Sequence, residues 1–203
     1  MIVLYTAGTP NGRKASIMLE ECGLAYNVHP ISFSEREQKA PAFLAINPNG
    51  RIPAIVDGEV SVFESGAILI YLAEKAGMFL PASGQSRASA LSWLMWQMGG
   101  LGPMAGQAYH FNSLENGDEY AIRRFGDEVL RLFTVMEGQL ERHAYLAGDD
   151  YTIADISSYA WTLAAIDIAK AQPGNQRQFS AIRRWLEKVG ARSPVQRGMQ
   201  VPG

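Results

Sequence analysis

Residues 49–74 read NGRIPAIVDGEVSVFESGAILIYLAE, and this stretch decides the fold. Pro53 opens a short apolar run that predicts a β-strand. Asp57-Gly58 is a strong signal for a two-residue hairpin turn into a second strand, Val60–Phe63. Apolar residues at helical spacing follow Glu64-Ser65-Gly66 and predict a helix that packs back on the sheet. The stretch therefore predicts a strand, a turn, a strand and a helix as one compact unit.

The residues before this stretch predict a strand, a helix and a second strand. The strands are expected at Ile2–Thr6 and residues 25–31, and the helix at Arg13–Cys22. A polar loop and a short helix near residues 42–46 lead on to the hairpin. The order of elements is thus βαβ, a short helix, ββ and α, so residues 1–77 are expected to form a small α/β domain.

The residues after 77 predict helices only. Residues 78–86 (MFLPASGQS) predict a linker, and residues 87–203 predict an all-helical domain. The segment 152–171 is almost entirely apolar, as expected for the buried central helix of a bundle. It starts with a variant of the capping box, Thr152 to Asp155. The glycine-rich segment 99–103 predicts a helix break, and further helices are expected over residues 89–97, 119–143 and 179–190.

Composition excludes several classes of function. The chain has 203 residues, 47% of them hydrophobic, and a net charge of -2. Such a chain lacks the clustered Lys and Arg that phosphate-backbone binding needs, so no nucleic-acid partner is expected. No apolar run reaches the roughly 20 residues of a membrane span, and the amino-terminal residues do not resemble a signal peptide. A single cysteine, Cys22, excludes an internal disulfide, so the expected compartment is a reducing cytoplasm.

Two kinds of reactive centre are not expected. Cys22 lies on the apolar face of the predicted first helix, which favours a small core residue over a nucleophile. The three histidines, His29, His110 and His143, are far apart in sequence and lack ligand spacing, so no metal site is predicted.

The segment Arg51-Ile52-Pro53 allows two interpretations. A cis Ile52–Pro53 bond would turn the Ile52 backbone outward, so that an extended peptide could pair with its N–H and C=O groups. A trans proline that merely starts a strand is the commoner case. On these three residues alone, the sequence favours the trans alternative.

Two predicted helix starts also allow a binding role and a purely structural one. At Glu64-Ser65, a ligand carboxylate could bind the helix N-terminus and the Ser65 hydroxyl, while Glu64 pairs with an ammonium group. Simple N-capping by Ser65 is the alternative. Thr9-Pro10-Asn11-Gly12 stands between a strand and a helix, where hydroxyl and amide donors stabilise a thiolate. A turn that merely starts the helix is the alternative there.

The chain resembles the soluble glutathione transferases over essentially its whole length. Four features carry this resemblance: the βαβ–ββα order, Ile52-Pro53 at the start of a strand, Glu64-Ser65 at the start of the third helix, and Thr152 to Asp155 in an all-helical second domain. Within that family, Thr9 to Lys14 (TPNGRK), residues 63–69 (FESGAIL) and residues 99–111 (GGLGPMAGQAYHF) are similar to the bacterial Nu class. That class resembles glutathione-dependent disulfide-bond reductases and the globular part of a fungal nitrogen-regulation prion protein. The resemblance implies a thioredoxin-like first domain, an all-helical second domain and a homodimer that binds one or two glutathione molecules per subunit.

The resemblance also implies how the tripeptide is held. Glu64 and Ser65 would bind its γ-glutamyl end. The backbone of Ile52, next to Pro53, would pair with the cysteinyl unit. The glycyl carboxylate would lie near two further side chains, Gln38 and Arg51.

A second group of residues is implied near the sulfur and in a second pocket. Thr9 and Asn11 would face the sulfur as the catalytic residues. Arg131 would extend to the site of the partner subunit. Tyr109 and Phe111 would edge the second pocket.

The Thr9 to Gly12 turn occupies the position where thioredoxins carry Cys-x-x-Cys, and it holds no cysteine. Tyr5, on the first strand, is not an obvious match to the tyrosine of mammalian classes. The resemblance therefore implies thiol–disulfide exchange on bound glutathione, with a small-molecule or peptide disulfide as the other substrate. Conjugation of glutathione to electrophiles and non-catalytic glutathione binding are the alternatives.

Overall fold

The computed structural model describes all 203 residues, and they group into two compact units. The first unit contains Met1–Leu80 together with the carboxy-terminal segment Gly190–Gly203. The second contains Pro81–Val189. An α/β unit and an all-helical unit were predicted, and both are present.

A four-stranded mixed sheet forms the centre of the first unit. Its strand order is β2-β1-β3-β4, in which β1 is parallel to β2 and antiparallel to β3, and β3 is antiparallel to β4. The helices α1 and α3 contact each other, and both contact the sheet. The bounds are β1 Ile2–Thr6, α1 Pro10–Glu21, β2 Tyr26–Pro30, a 3₁₀ turn Glu37–Lys39, α2 Pro41–Ile46, β3 Ala54–Asp57, β4 Val60–Phe63 and α3 Ser65–Ala76.

Helix α1 begins three residues earlier than predicted. Thr9 is its N-cap and Pro10 its first residue, because the ring of proline already has a helical φ and has no N–H to leave unpaired. Gly12 is therefore inside the first turn. A Cβ at Gly12 would lie 2.2 Å from the carbonyl oxygen of Ala7, so this close approach of two backbone segments requires glycine.

The hairpin turn is displaced by one residue from its predicted place. Asp57 pairs with Val60, which leaves Gly58 and Glu59 as the turn. Gly58 has φ +64°, a conformation that glycine adopts without steric cost. The carboxylate of Asp57 is held at 2.7 Å from Lys75, which fixes it within the strand.

The carboxy-terminal segment packs on α1, and the predicted division into 1–77, 78–86 and 87–203 did not include this contact. Helix α9, Ser193–Gly198, contacts α1, and Ser16 donates a hydrogen bond of 2.7 Å to the Gly198 carbonyl. A Cβ at Gly198 would lie 2.5 Å from the Ile17 Cα, so the two backbones are nearly in contact. Local sequence patterns carry no information about a contact between the two ends of the chain.

The second unit is built around α7, which contacts α4, α5 and α6. Most of α7 is buried, as predicted for a central helix. The predicted break at residues 99–103 is wrong, since the chain stays helical there through a π-helical turn, Gln97–Leu101. Pro103 has no N–H for a regular helical hydrogen bond, and a widened turn accommodates this loss. The bounds are α4 Gly84–Trp96, α5 Gly102–Ser113, α6 Glu119–Leu140, α7 Ile153–Ala171 and α8 Ser180–Gly190.

Two buried carboxylates hold the starts of α7 and α8. The predicted capping box is present. The Thr152 hydroxyl accepts a hydrogen bond from the Ala154 N–H, and the Asp155 carboxylate accepts one from the Thr152 N–H. Glu137 of α6 accepts hydrogen bonds of 2.9 Å from the N–H groups of Ala181 and Ile182, and so caps α8 from another helix. No helix of the protein combines the length and the hydrophobicity that a membrane span requires.

Candidate functional site

A polar cleft in the first unit lies where α1, the turn before β3 and the start of α3 meet. Its lining includes five residues of the stretch 49–74 and Asn11 of the Thr9 to Gly12 segment, whereas Thr9 is not part of the lining. The structure therefore brings the two predicted parts of the site together. The cleft is lined by Asn11, Asn47, Arg51, Ile52, Pro53, Glu64 and Ser65.

The start of α1 presents donors to a ligand. The Thr9 hydroxyl oxygen accepts a hydrogen bond of 3.3 Å from the Gly12 N–H, which caps the helix. Because this bond uses an oxygen lone pair, the hydroxyl proton stays available to a neighbouring acceptor. Asn11 lines the cleft from the first turn of the same helix. The positive end of the helix dipole and these side chains can stabilise an anion such as a thiolate.

The Ile52–Pro53 peptide bond is cis, so the trans alternative is wrong. Ile52 comes before β3, whose pairing with β1 begins at Ala54, so the Ile52 backbone lies beyond that ladder. Its side chain packs against the cluster of Ile31, Phe43 and Ala54. This anchoring leaves the main chain of Ile52 at the cleft, where an extended peptide could pair with it.

The turn before Ile52 is fixed by one asparagine. Asn47 donates a hydrogen bond of 2.5 Å to the Arg51 carbonyl and accepts one of 2.9 Å from the Asn49 N–H. Asn47 is buried and belongs to the cleft lining. Asn47 was not predicted as a site residue, although an asparagine side chain that accepts from the N–H two residues later is typical of such a turn.

Glu64 and Ser65 mark the start of α3, but Ser65 is not its N-cap. Glu64 occupies the cap position with φ +69° and ψ 120°, and no side chain caps the helix. The structural alternative for Ser65 is therefore wrong. The Glu64 carboxylate accepts a hydrogen bond of 3.2 Å from Asn49. The uncapped N–H groups of α3 can receive a ligand carboxylate beside the Ser65 hydroxyl.

A buried lysine lies behind this helix start. Lys14 of α1 is 1% exposed, and its Nζ lies 3.5 Å from Ser65 Oγ. Burial lowers the pKa of Lys14 to about 7, against the opposing charge of Glu64. Lys14 was not predicted as a site residue. Its spacing of three from Asn11, which places both on one face of a helix, is the signal that could have done so.

Gln38 and Arg51 lie on neighbouring segments. Gly50 approaches the 3₁₀ turn so closely that a Cβ there would lie 2.9 Å from the Gln38 carbonyl. The Gln38 Oε1 atom is buried and has no hydrogen-bond partner. Gln38 does not line the cleft, whereas the exposed Arg51 does. Their predicted contact with a glycyl carboxylate stays a prediction.

The remaining predicted residues belong to the second unit. Arg131 lies in a groove of about 760 Å³ between α5 and α6 and forms a two-bond ion pair with Glu128, at 2.7 and 2.8 Å. Phe111 stacks on Phe125, which lines the same groove, with ring centroids 5.5 Å apart. Tyr109 is 68% exposed and lies outside the groove lining. Their roles in a second pocket and toward a partner stay predictions.

The chain offers the cleft no thiolate of its own. Burial, with the nearby charge of Glu21, raises the pKa of the Cys22 thiol to about 11, so the thiol stays protonated near neutral pH. Tyr5 packs against His29 and Phe43, with ring centroids 4.9 and 5.9 Å apart. No group of three His, Cys, Asp or Glu side chains is arranged to hold a metal ion. The cleft can thus stabilise a sulfur anion that a ligand supplies.

Comparisons with known proteins agree with this geometry. Residues 1–74 match the glutathione S-transferase N-terminal domain family, and residues 100–193 match the glutathione S-transferase C-terminal domain family. The disulfide-bond oxidoreductase YfcG of Escherichia coli is 45% identical, over 95% of this chain and 91% of that protein. The disulfide-bond oxidoreductase YghU of the same organism is 40% identical, over 96% of this chain and 73% of that protein.

Solved structures give the same result. A glutathione transferase family member from Pseudomonas fluorescens, with two glutathione molecules bound, has a TM-score of 0.93 and 41% identity, over 99% of this chain and 93% of that one. A glutathione transferase from Pseudomonas putida, with one glutathione disulfide bound per subunit, has a TM-score of 0.92 and 39% identity, over 100% of this chain and 92% of that one.

Proposed function

This chain belongs to the glutathione S-transferase family, and from that premise we propose that it is a glutathione-dependent disulfide-bond reductase. The observation that carries the proposal is the cleft itself. Asn11 lines it from the first turn of α1, next to the Thr9 cap, while the one cysteine of the chain is half-buried with a raised pKa. The reacting sulfur therefore belongs to the ligand.

The cleft suits both ends and the backbone of glutathione. The N-terminus of α3 and Ser65 receive the α-carboxylate of the γ-glutamyl residue, and Glu64 pairs with its ammonium group. The main chain of Ile52 pairs with the cysteinyl unit as an added strand would. This pairing directs the cysteinyl sulfur toward Thr9 and Asn11.

Only a small free energy is needed to stabilise the thiolate of bound glutathione at this point. A free thiol has a pKa of about 8.5, so only a small fraction is ionised at neutral pH. Lowering that pKa by one unit takes about 1.4 kcal/mol of preferential stabilisation of the anion. Hydrogen bonds to a charged acceptor contribute about 1.5–3 kcal/mol each, so the Thr9 hydroxyl and the Asn11 amide suffice.

The reaction is two successive exchanges. The glutathione thiolate attacks one sulfur of the disulfide substrate, the S–S bond breaks, and the leaving thiolate takes a proton. The thiolate of a second glutathione then attacks the glutathione sulfur of the mixed disulfide. The second substrate thiol leaves, and glutathione disulfide forms. Two glutathione molecules are oxidised for each disulfide reduced, which fits the ligands in the Pseudomonas relatives.

Several finer properties follow from the family. We infer a homodimer, in which Arg131 serves the partner's site, and Tyr109 and Phe111 edge the pocket for the second substrate. A cytoplasmic location suits a reaction that depends on reduced glutathione. Small-molecule and peptide disulfides are the proposed substrates.

The test is turnover with 2-hydroxyethyl disulfide by a Thr9→Ala, Asn11→Ala double variant. Losing two hydrogen bonds to the thiolate is expected to reduce kcat/KM by about 100-fold or more. Thr9→Ser keeps both the cap and the hydroxyl and should stay close to wild type. Thr9→Asp keeps the cap, since Asp is a good N-cap, but removes the donor, so it should fold and lose activity.

Full reductase turnover in the double variant would overturn the role of these residues. Faster turnover of wild type with a chloronitrobenzene than with the disulfide would favour conjugation instead. Tight glutathione binding with no turnover of either substrate would indicate a binding protein.

A further inference from the structure

Lys14 is a buried cation next to the proposed carboxylate site. Its side chain is 1% exposed, among the largest fully buried side chains of the protein. Its Nζ is 3.5 Å from the Oγ of Ser65, and Ser65 is itself 6% exposed and lines the cleft. A buried ammonium group is costly unless an anion or strong acceptors compensate it. An anion bound at the start of α3, beside Ser65, would therefore favour the charged form of Lys14.

Glu64 is the charged group that acts on Lys14. Its carboxylate faces the cleft and is exposed, and it accepts a hydrogen bond from Asn49. The surrounding elements add little further charge near Lys14, because β1 has no charged residue and the carboxylates of α1 are paired with arginines. The other charged side chains on α1, α3 and α9 or beside them are Arg13, Glu20, Glu21, Glu74, Lys75, Arg192 and Arg197.

We propose that Lys14 is a buried counter-charge for the γ-glutamyl carboxylate, and that it takes up a proton from the solvent when glutathione binds beside Ser65. The inference rests on the proposed function, since glutathione supplies the carboxylate. Lys14 is a positioning residue here. It acts on the ligand through Ser65 and through its charge, from behind the helix start.

The proton balance sets the size of the effect. With a pKa of about 7, roughly a quarter of Lys14 side chains are protonated at about pH 7.5 in the unliganded protein. A nearby carboxylate favours the charged form of a lysine. If binding raises the pKa by one unit, the protonated share rises to about three quarters, which is an uptake of about half a proton per ligand.

Isothermal titration calorimetry with S-methylglutathione measures this uptake directly. This ligand has no ionisable thiol, so the proton released by a sulfur does not obscure the result. Titrations in buffers of different ionisation enthalpy, at about pH 7.5, should give about half a proton taken up by wild type. Between about pH 6.5 and 8.0, the Kd should rise about fourfold.

Two variants assign the proton to Lys14. Lys14→Met has nearly the same volume without the charge, and it should bind more weakly with no proton uptake. Lys75→Met is the matched control, because Lys75 is on α3 but is paired with Asp57 and has a 41% exposed side chain. It should behave as wild type. If Lys14→Met does not fold, Lys14→Arg takes its place, because a guanidinium does not deprotonate and the variant should show no proton uptake. The rise of the wild-type Kd with pH is then the second test.

The outcomes separate the two proposals. Buffer-independent binding heat in wild type, or unchanged proton uptake in Lys14→Met or Lys14→Arg, would overturn the role of Lys14 while leaving glutathione binding intact. A wild-type protein that binds neither glutathione nor S-methylglutathione would instead overturn the proposed function.

Discussion

Single residues at two helix starts are the proposed contacts for a ligand in the cleft. Thr9 caps α1 through its oxygen, so its hydroxyl proton can still be donated to an acceptor. Glu64 has φ +69°, a conformation that costs a residue with a side chain about 1–3 kcal/mol. Asn49 contacts its carboxylate and Ser65 follows it into α3. Because strained residues of this kind cluster at functional sites, Glu64 supports the assignment of the cleft independently of the comparisons.

Gly12, in the first turn of α1, has no room for a side chain. We expect Gly12→Ala to lower the free energy of unfolding by more than about 2 kcal/mol, because the added methyl group would meet backbone and side-chain oxygens, at 2.2 Å from Ala7 and 2.4 Å from Thr6. Urea unfolding measures the change. Gly8→Ala is the matched control, since a Cβ there has nothing within 4 Å. Equal stability of the two variants would contradict the close approach.

At the scale of elements, buried carboxylates join the helices of the second unit. Asp155 accepts hydrogen bonds from the Leu146 N–H and the Thr152 N–H, each at 3.0 Å, and from the Trp185 indole at 2.8 Å. One side chain thereby joins the start of α7, the preceding loop and α8. Glu137 does the same between α6 and α8. Such bonds satisfy groups that would otherwise be buried without partners.

The Asp155 carboxylate makes this unit pH-sensitive. Burial raises the pKa of Asp155 from 3.8 to about 6, although its donors oppose the shift. The folded state therefore holds the proton more tightly than the unfolded chain. Below about pH 4, protonated Asp155 therefore adds up to about 3 kcal/mol to the free energy of unfolding. This contribution is lost as the pH rises through about 6.

Asp155→Asn isolates that contribution. Asparagine does not titrate, and its NH₂ group would face the Thr152 N–H, so the variant should be less stable by about 1–3 kcal/mol at about pH 4. The gap between wild type and variant should narrow as the pH rises to about 7. Urea unfolding of both proteins across this range measures it. A gap that is constant with pH would show that Asp155 does not bind the proton in this way.

At the scale of the whole molecule, the sequence predicts most of what is local. The strands β1 and β4 have the predicted bounds and the predicted helix follows as α3, because their hydrophobic period and turn residues are contiguous in sequence. The site residues of the stretch 49–74 line the cleft because one hairpin and one helix carry them. Prediction succeeded where one short segment contains the whole signal.

The features that were missed depend on contacts distant in sequence. The cis bond before Pro53 and the burial of Lys14 under α3 are decided by tertiary packing. The same holds for α9, whose Arg192 pairs with Glu21 across 171 positions. The π-helical turn before Pro103 was predicted as a break, since glycine and proline do not distinguish a widened turn from an interruption.

The ion pair between the two ends of the chain should contribute strongly to stability. Glu21 has a side chain that is only 2% exposed, and Arg192 meets both of its oxygens, at 2.6 and 2.7 Å. Arg192→Ala would leave a buried carboxylate without this partner and is expected to lower the free energy of unfolding, measured with urea, by about 2–4 kcal/mol.

Arg197→Ala is the control, because Arg197 is 57% exposed and its partner Glu20 is 20% exposed. Its loss should therefore be under about 1 kcal/mol. Glu21→Leu added to Arg192→Ala should recover part of the loss, because it removes the unpaired charge. Equal costs for the two arginine variants, or no recovery in the double variant, would mean that the carboxy-terminal segment is held on α1 by the packing of Gly198 on Ile17 rather than by this pair.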